Sequence, residues 1–99
     1  MPYILITRSP GADLKLYKAV WDELGPEPLA GNVVHLAGET PDGVLITADI
    51  WESSVAADRF AAERLFPAFG RAGAGPGPDA SAWAFDATEV EAPKPPPLR

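Results

Sequence analysis

The chain contains no cysteine, which excludes disulfide bonds and thiolate chemistry. It has a single histidine, His35, so a zinc site built from histidine or cysteine ligands is not expected. Basic residues are also few: 8 Lys and Arg against 14 Asp and Glu give a formal net charge of −6. Because no basic cluster is present to neutralise phosphates, we expect no nucleic-acid partner and no membrane partner.

Long apolar runs are missing as well. No segment approaches the ~20 apolar residues of a membrane-spanning helix. The first eight residues lack the charged start and long apolar core of a signal peptide. We therefore expect a cytoplasmic protein. The 99 residues are 46% hydrophobic, which is enough for the core of one small globular domain.

The stretch 43–69 organises the predicted fold. A β-rich run at 44–51 passes directly into a helix, for which Ser53 or Ser54 can act as the N-cap. So short a join folds the helix back onto the sheet to which its strand belongs. Pro67 lies late in this helix and should kink it or end its regular part.

The remaining elements follow from apolar periodicity and from Gly and Pro breaks. In chain order they are a strand at 3–7, a helix from about 13 to 24, a strand at 33–37, a flexible loop at 71–81 and a strand at 83–90. The order βαββαβ predicts a ferredoxin-like α+β fold, a four-stranded antiparallel sheet with two helices on one face. We expect residues 1–91 to form this single domain and 92–99, with four prolines, to form an extended tail.

The second and third strands carry apolar side chains on both faces, as in Val33-Val34 and Ile50-Trp51. One layer of helices covers only one face of a sheet. The uncovered apolar face indicates a partner, and the simplest partner is a second copy packed sheet against sheet as a homodimer.

Several segments resemble small actinobacterial proteins of the dimeric α+β-barrel superfamily, which includes the antibiotic-biosynthesis monooxygenases. The similar segments are Tyr17 to Gly25, Val33 to Gly38, Asp49 to Ser53, Phe60, and Leu65 to Ala68. The resemblance covers roughly residues 3 to 90 and implies a dimeric α+β barrel with a small-molecule pocket between sheet and helices. Members of that superfamily include cofactor-free oxygenases acting on phenolic polyketides, haem-degrading enzymes, isomerases, cyclases and proteins without known activity.

The resemblance does not extend to the iron ligand of the haem-degrading branch. Counted from Trp51, Phe60 takes the place of that branch's helix tryptophan, and its iron-ligating histidine falls near Gly70. The second helix contains no histidine. We therefore expect no haem, and no other metal or organic cofactor.

His35 and Asp49 are the candidate catalytic residues. His35 is the only imidazole, the side chain that changes charge near neutral pH, so it is a candidate general base toward a phenol or enol. The alternative is a half-buried sheet histidine with one hydrogen-bond partner. Asp49 lies in mid-strand, where burying an unpaired charge is costly. It could line a polar pocket, pair with Arg8 or Arg64, or form a dimer contact.

The register of the hairpin between the second and third strands decides whether these two side chains share a face. An even-numbered loop would place His35 with Ala48 and Ile50. An odd-numbered loop, or a bulge, would place it with Asp49 and Trp51. The sequence leaves both registers open.

Aromatic residues and one arginine are the candidate substrate-binding residues. Tyr17, Trp21, Trp51 and Phe60 could line a cavity for a flat aromatic ligand, or they could pack in the core or a dimer interface. Arg64 could bind a substrate carboxylate or phenolate, or it could be a solvated surface arginine.

Two functions remain open at this point. The chain could be a cofactor-independent small-molecule enzyme of the oxygenase, cyclase or isomerase type that acts on an aromatic or polyketide-like substrate in a pocket between helices and sheet. Alternatively, it could be a non-catalytic homodimeric ligand-binding or assembly protein, in which His35 is packed away from the cavity.

Overall fold

The computed structural model describes residues 1–75 and 77–91, so the predicted tail at 92–99 lies outside the described residues. The elements in chain order are β1 (Tyr3–Ser9), α1 (Leu14–Leu24), β2 (Asn32–Glu39), β3 (Leu45–Trp51), α2 (Ser54–Phe60), a π-helical stretch (Ala61–Leu65), α3 (Phe66–Ala72) and β4 (Ser81–Asp86). The strands form one sheet in the order β2-β3-β1-β4, and every neighbouring pair is antiparallel. The predicted ferredoxin-like α+β architecture is confirmed.

Helix α1 begins and ends where its sequence signals place it. The carboxylate of Asp13 accepts a hydrogen bond from the backbone N–H of Leu16 at 2.8 Å, which is the N-cap arrangement. Gly25 ends the helix with a φ of 79°, a left-handed value that glycine adopts without a Cβ penalty. Between these caps, Val20 and Leu24 are the buried positions.

The second helical segment is longer than predicted. Ser53, rather than Ser54, caps it by accepting from the N–H of Ala56. Pro67 does not end the helix. The backbone takes a π-helical turn before Pro67 and then resumes as α3, where the missing proline N–H falls in the first turn. The helix therefore continues to Ala72, and the loop predicted from residue 71 begins only after it.

Strand β4 is shorter at its end than the predicted 83–90. Among the described strands it pairs with β1 alone, and its last residue, Asp86, lies opposite Tyr3, the first residue of β1. Because β1 begins at Tyr3, it offers no further residue to continue the ladder beyond that point. A single further backbone hydrogen bond, from the N–H of Ala87 to the carbonyl of Pro2, closes the strand end.

One cluster of buried apolar residues lies between the helices. Val20 and Leu24 of α1 pack with Ala68 of α3, which is 0% exposed. The sheet face beneath the helices, here called the inner face, carries the buried side chains of Leu45 and Trp51 of β3. None of the described residues forms a layer over the opposite face, here called the outer face, and large apolar side chains are exposed on it at Val34, Leu36, Trp83 and Phe85. No helix in the described ranges is long and apolar enough to cross a bilayer.

Candidate functional site

The register of the β2–β3 hairpin brings the two predicted catalytic residues together. Glu39 pairs with Leu45, so residues 40–44 form an odd-numbered connection and His35 lies directly opposite Asp49. Both side chains point to the inner face, since Asp49 and its strand neighbours Thr47 and Trp51 line the same cavity. Of the two registers that the sequence left open, the odd one is found.

A cavity of about 480 Å³ lies between the inner face and the helices. This volume is in the range of small-molecule sites, roughly 300–1,000 Å³. Its lining is mostly apolar and includes Leu5, Trp21, Trp51, Phe60, Leu65 and Phe69. The polar groups in the wall are few. They include Tyr17, His35 and Asp49, together with the hydroxyls of Thr7 and Thr47, which hydrogen-bond to each other across β1 and β3.

A chain of hydrogen bonds runs along this wall. The phenol oxygen of Tyr17 lies 2.6 Å from Nε2 of His35, and Nδ1 of His35 lies 2.7 Å from Oδ1 of Asp49. A carboxylate can only accept, so Nδ1 carries the proton that it shares with Asp49. In the neutral imidazole, Nε2 is then an acceptor, and the Tyr17 hydroxyl donates to it.

Asn32 supplies a second hydrogen bond to the carboxylate. Its Nδ2 donates to Oδ1 of Asp49 at 3.1 Å. A β-bulge between Asn32 and Val34 pairs Asn32 with Trp51, on the inner face. Asp49 is only 8% exposed, so these two donors compensate the burial of its charge.

Aromatic packing fixes the imidazole in place. Tyr17 and Trp21 are four residues apart on α1 and therefore lie on the same side of the helix. The Trp21 ring centroid is 4.5 Å from that of His35, and the Tyr17 and His35 ring planes differ by only 6°. Trp51 packs against Phe60 at 5.1 Å, and its buried indole N–H has no hydrogen-bond partner among the described residues.

Burial raises the pKa of the Tyr17 phenol, and the negative charge of Asp49 raises this pKa further. Tyr17 therefore keeps its proton at neutral pH. Tyr17 lies in the cavity wall, and its neutral hydroxyl is hydrogen-bonded to the imidazole of His35. The described residues contain no group of three or more His, Cys, Asp or Glu side chains placed to hold a metal ion.

Arg64 lies away from the cavity. Its guanidinium donates to the carbonyl oxygens of Leu24, Glu27 and Pro28 at 2.9, 3.1 and 2.8 Å. These contacts hold the C-terminal end of α1 and the loop that follows it. Arg64 does not pair with Asp49 either, whose partners are His35 and Asn32.

The sequence placed Tyr17 in the site only as an aromatic lining residue and did not predict Asn32 at all. The helical stripe that contains Tyr17 gave the signal for its inward position. Its hydroxyl contact depends on where α1 crosses the sheet. Asn32 depends on the bulge, for which the residues around Val33 give no distinctive pattern.

No protein-family model and no curated protein matches the chain. Solved structures do match. Rv0793 from Mycobacterium tuberculosis superposes with a TM-score of 0.70 at 16% identity, covering 93% of this chain and 100% of that one. SnoaB, a cofactor-independent oxygenase from Streptomyces nogalater, gives a TM-score of 0.63 at 16% identity, covering 94% of this chain and 98% of that one.

A proposed antibiotic biosynthesis monooxygenase from Chloroflexus aurantiacus also matches, with a TM-score of 0.60 at 13% identity over 91% of this chain and 98% of that one. The chain thus has the α+β fold of antibiotic-biosynthesis-monooxygenase-like structures, as the sequence resemblance implied. At these identities the likeness establishes the fold.

Proposed function

We propose that the chain is a cofactor-independent enzyme that moves a proton on an aromatic or polyketide-like substrate held in the cavity. The observation that carries the proposal is the hydrogen-bonded chain of Tyr17, His35 and Asp49 in the wall of a largely apolar cavity. Isomerisation of such substrates needs only proton transfers. In cyclisation the carbanion formed by proton removal attacks a carbonyl carbon of the same substrate, and the resulting oxyanion takes up a proton, so no co-reactant is consumed. Oxygenation would in addition consume dioxygen as a co-substrate.

The arrangement of His35 and Asp49 suits general-base chemistry. When the imidazole takes up a proton, the carboxylate of Asp49 at 2.7 Å stabilises the imidazolium that forms. The apolar lining limits water around the reacting atoms and strengthens these interactions. The likeness in fold to SnoaB, a cofactor-independent oxygenase, supports the same class of chemistry.

Release of tritium from C1-tritiated 2-tetralone, a fused aromatic ketone with an acidic C–H bond, tests the proposal. We expect the protein to accelerate the release. His35→Gln and Asp49→Asn should each lower the rate constant by roughly 10²–10⁴-fold, the usual contribution of a positioned general base. The matched control is Asp42→Asn, which changes an exposed aspartate in the β2–β3 connection.

A set of other enolisable aromatic ketones is tested beside 2-tetralone, so that the result does not depend on one probe. If none of them releases tritium faster with the protein than without it, the enzyme proposal is wrong. Binding of 1-naphthol can be measured by the quenching of tryptophan fluorescence. If 1-naphthol binds but no ketone releases tritium faster with the protein, the non-catalytic ligand-binding alternative is favoured.

We also propose that the chain forms a homodimer through the outer face. Leu36, Trp83 and Phe85 are 60%, 54% and 51% exposed in the single chain. With Val34 they extend the apolar surface from β2 at one edge of the sheet to β4 at the other. An apolar face of this kind favours burial against an identical face, related by a two-fold axis.

Light scattering of two charge-introducing variants tests the homodimer. Leu36→Glu places a charge on the outer face and should yield a monomer. Val55→Glu is the matched control, because Val55 is similarly exposed, at 63%, but lies on α2. It should leave the dimer intact. A wild-type protein that is monomeric at micromolar concentration would contradict the proposal.

A further inference from the structure

Both ring nitrogens of His35 are already engaged within the protein. Nδ1 is bonded to Asp49, and Nε2 is bonded to the hydroxyl of Tyr17. The face of the imidazole also packs against Trp21, with ring centroids 4.5 Å apart. A ligand in the cavity therefore has no free imidazole nitrogen to contact.

From this arrangement we infer that Tyr17, rather than His35, is the residue that exchanges a proton with the substrate. The inference rests on the proposed function and names the atom through which it operates. Tyr17 lines the cavity, and its oxygen keeps acceptor capacity after donating its own hydrogen to His35. His35 and Asp49 then act through Tyr17 as positioning and charge-storing residues.

The proton transfer balances without a co-reactant. The substrate proton bonds to the oxygen of Tyr17 as the original phenol hydrogen moves to Nε2 of His35. The substrate leaves this step as an anion, Tyr17 is again neutral, and His35 is an imidazolium paired with the carboxylate of Asp49. Because the pKa of Tyr17 is raised by burial and by Asp49, a neutral phenol is favoured over a phenolate before the step.

The protonation state of His35 also sets which role the Tyr17 oxygen presents to the cavity. When His35 is neutral, the Tyr17 hydroxyl donates to Nε2 and its oxygen is free to accept. When His35 is protonated, Nε2–H donates to the Tyr17 oxygen, and the phenol O–H is free to donate to a substrate oxyanion or carbanion. One hydroxyl thus serves as base in the forward step and as acid in the return step.

The first test compares the two tyrosines of the chain. Tyr17→Phe should lower the rate of tritium release from 2-tetralone by roughly 10²–10⁴-fold, as expected for loss of a positioned acid or base. Binding of 1-naphthol should change far less. Tyr3→Phe removes the same hydroxyl from a residue outside the cavity wall and is the matched control. Near-ultraviolet circular dichroism checks that both variants fold.

The solvent isotope effect separates the two routes. Transfer through Tyr17 moves its exchangeable hydroxyl proton in the rate-limiting step, so tritium release should be slower in D₂O than in H₂O. Direct attack by His35 on the C–H bond moves no exchangeable proton, and the rate should then be equal in the two solvents. Equal rates, or a Tyr17→Phe variant as active as the parent, would overturn the inference.

These outcomes are distinguishable from failure of the proposed function. If His35→Gln is inactive while Tyr17→Phe is active, the enzyme proposal stands and the Tyr17 inference falls. If no variant differs from the uncatalysed rate because the parent itself is inactive, both fall.

A second variant covers the case in which Tyr17→Phe does not fold. In the Tyr3→Phe background Tyr17 is the only tyrosine, so growth on 3,5-difluorotyrosine labels it alone. The analogue keeps the hydroxyl and lowers its pKa, and transfer through Tyr17 predicts a shifted pH–rate profile. An unchanged profile would exclude the transfer.

Discussion

Replacing Arg64 by alanine should destabilise the protein and leave ligand binding nearly unchanged. The guanidinium donates to three backbone carbonyls, of which that of Leu24 belongs to the last residue of α1. Hydrogen bonds to a charged group contribute about 1.5–3 kcal/mol each. The side chain is 24% exposed, and two of its nitrogens share the three carbonyl acceptors. We therefore expect Arg64→Ala to lower the free energy of unfolding by about 2–4 kcal/mol in total.

Thermal unfolding by circular dichroism measures this effect. In a domain of this size the loss corresponds to a fall in Tm on the order of 10–20 °C. Arg64→Lys should recover only part of it, because one ammonium cannot span carbonyls that a planar guanidinium reaches together. Arg59→Ala, at an exposed arginine of α2, is the control. If Arg64→Ala weakens 1-naphthol binding at an unchanged Tm, Arg64 belongs to the ligand site and this reasoning is wrong.

Two further predictions concern the backbone and the phenol. Gly31 and Gly43 both have a φ near +82°, but an added Cβ would lie 2.6 Å from the Cβ of Ala56 only at Gly31. In chemical denaturation, Gly43→Ala should lower the free energy of unfolding by about 1–2 kcal/mol, and Gly31→Ala should lower it clearly more. Equal losses would contradict the close approach of residue 31 to Ala56. Burial and Asp49 raise the pKa of Tyr17 above 10.0, the ordinary value for a tyrosine. The protonated phenol therefore contributes fully to the stability of the fold below pH 10.0, and this contribution is lost as the pH rises above 10.0. The free energy of unfolding should therefore fall less steeply above pH 10.0 in Tyr17→Phe than in the parent; identical slopes would show that the pKa is not raised.

The signals that predicted the fold correctly are local ones. Asp13 and Ser53 cap helices because a short polar side chain before an apolar stripe can reach the first free N–H groups. The β-rich runs and the break at 40–43 gave four strands in the right order. The greater length of the second helical segment has a physical cause: a π-helical turn accommodates Pro67 within a helix that packs against α1.

The site was less predictable because it depends on whether the number of residues between β2 and β3 is odd or even. The choice between His35 facing Asp49 and His35 facing Ala48 turns on whether the connection has an odd or even number of residues, and strand ends are known from sequence only to within a few residues. The bulge beside Val33 then moves Asn32, the first residue of β2, onto the same sheet face as His35. The sequence left the position of Arg64 open for a related reason. A helix position near the inward stripe does not reveal whether a long side chain turns to the sheet or to the end of the neighbouring helix.

The topology explains why the polar groups gather at one part of the cavity. β1 and β2 run parallel with β3 between them, because each pairs antiparallel with β3. The helix that joins them, α1, must therefore cross over β3, and its inner side meets His35 and Asp49 on the β2–β3 pair. The second helical segment joins β3 to β4 and crosses β1 in the same way. It contributes apolar side chains such as Phe60, Leu65 and Phe69. The first half of the chain thus supplies the hydrogen-bonded groups and the second half supplies much of the apolar wall, so substitutions in α1 should alter chemistry and those in the second segment should alter which ligand fits.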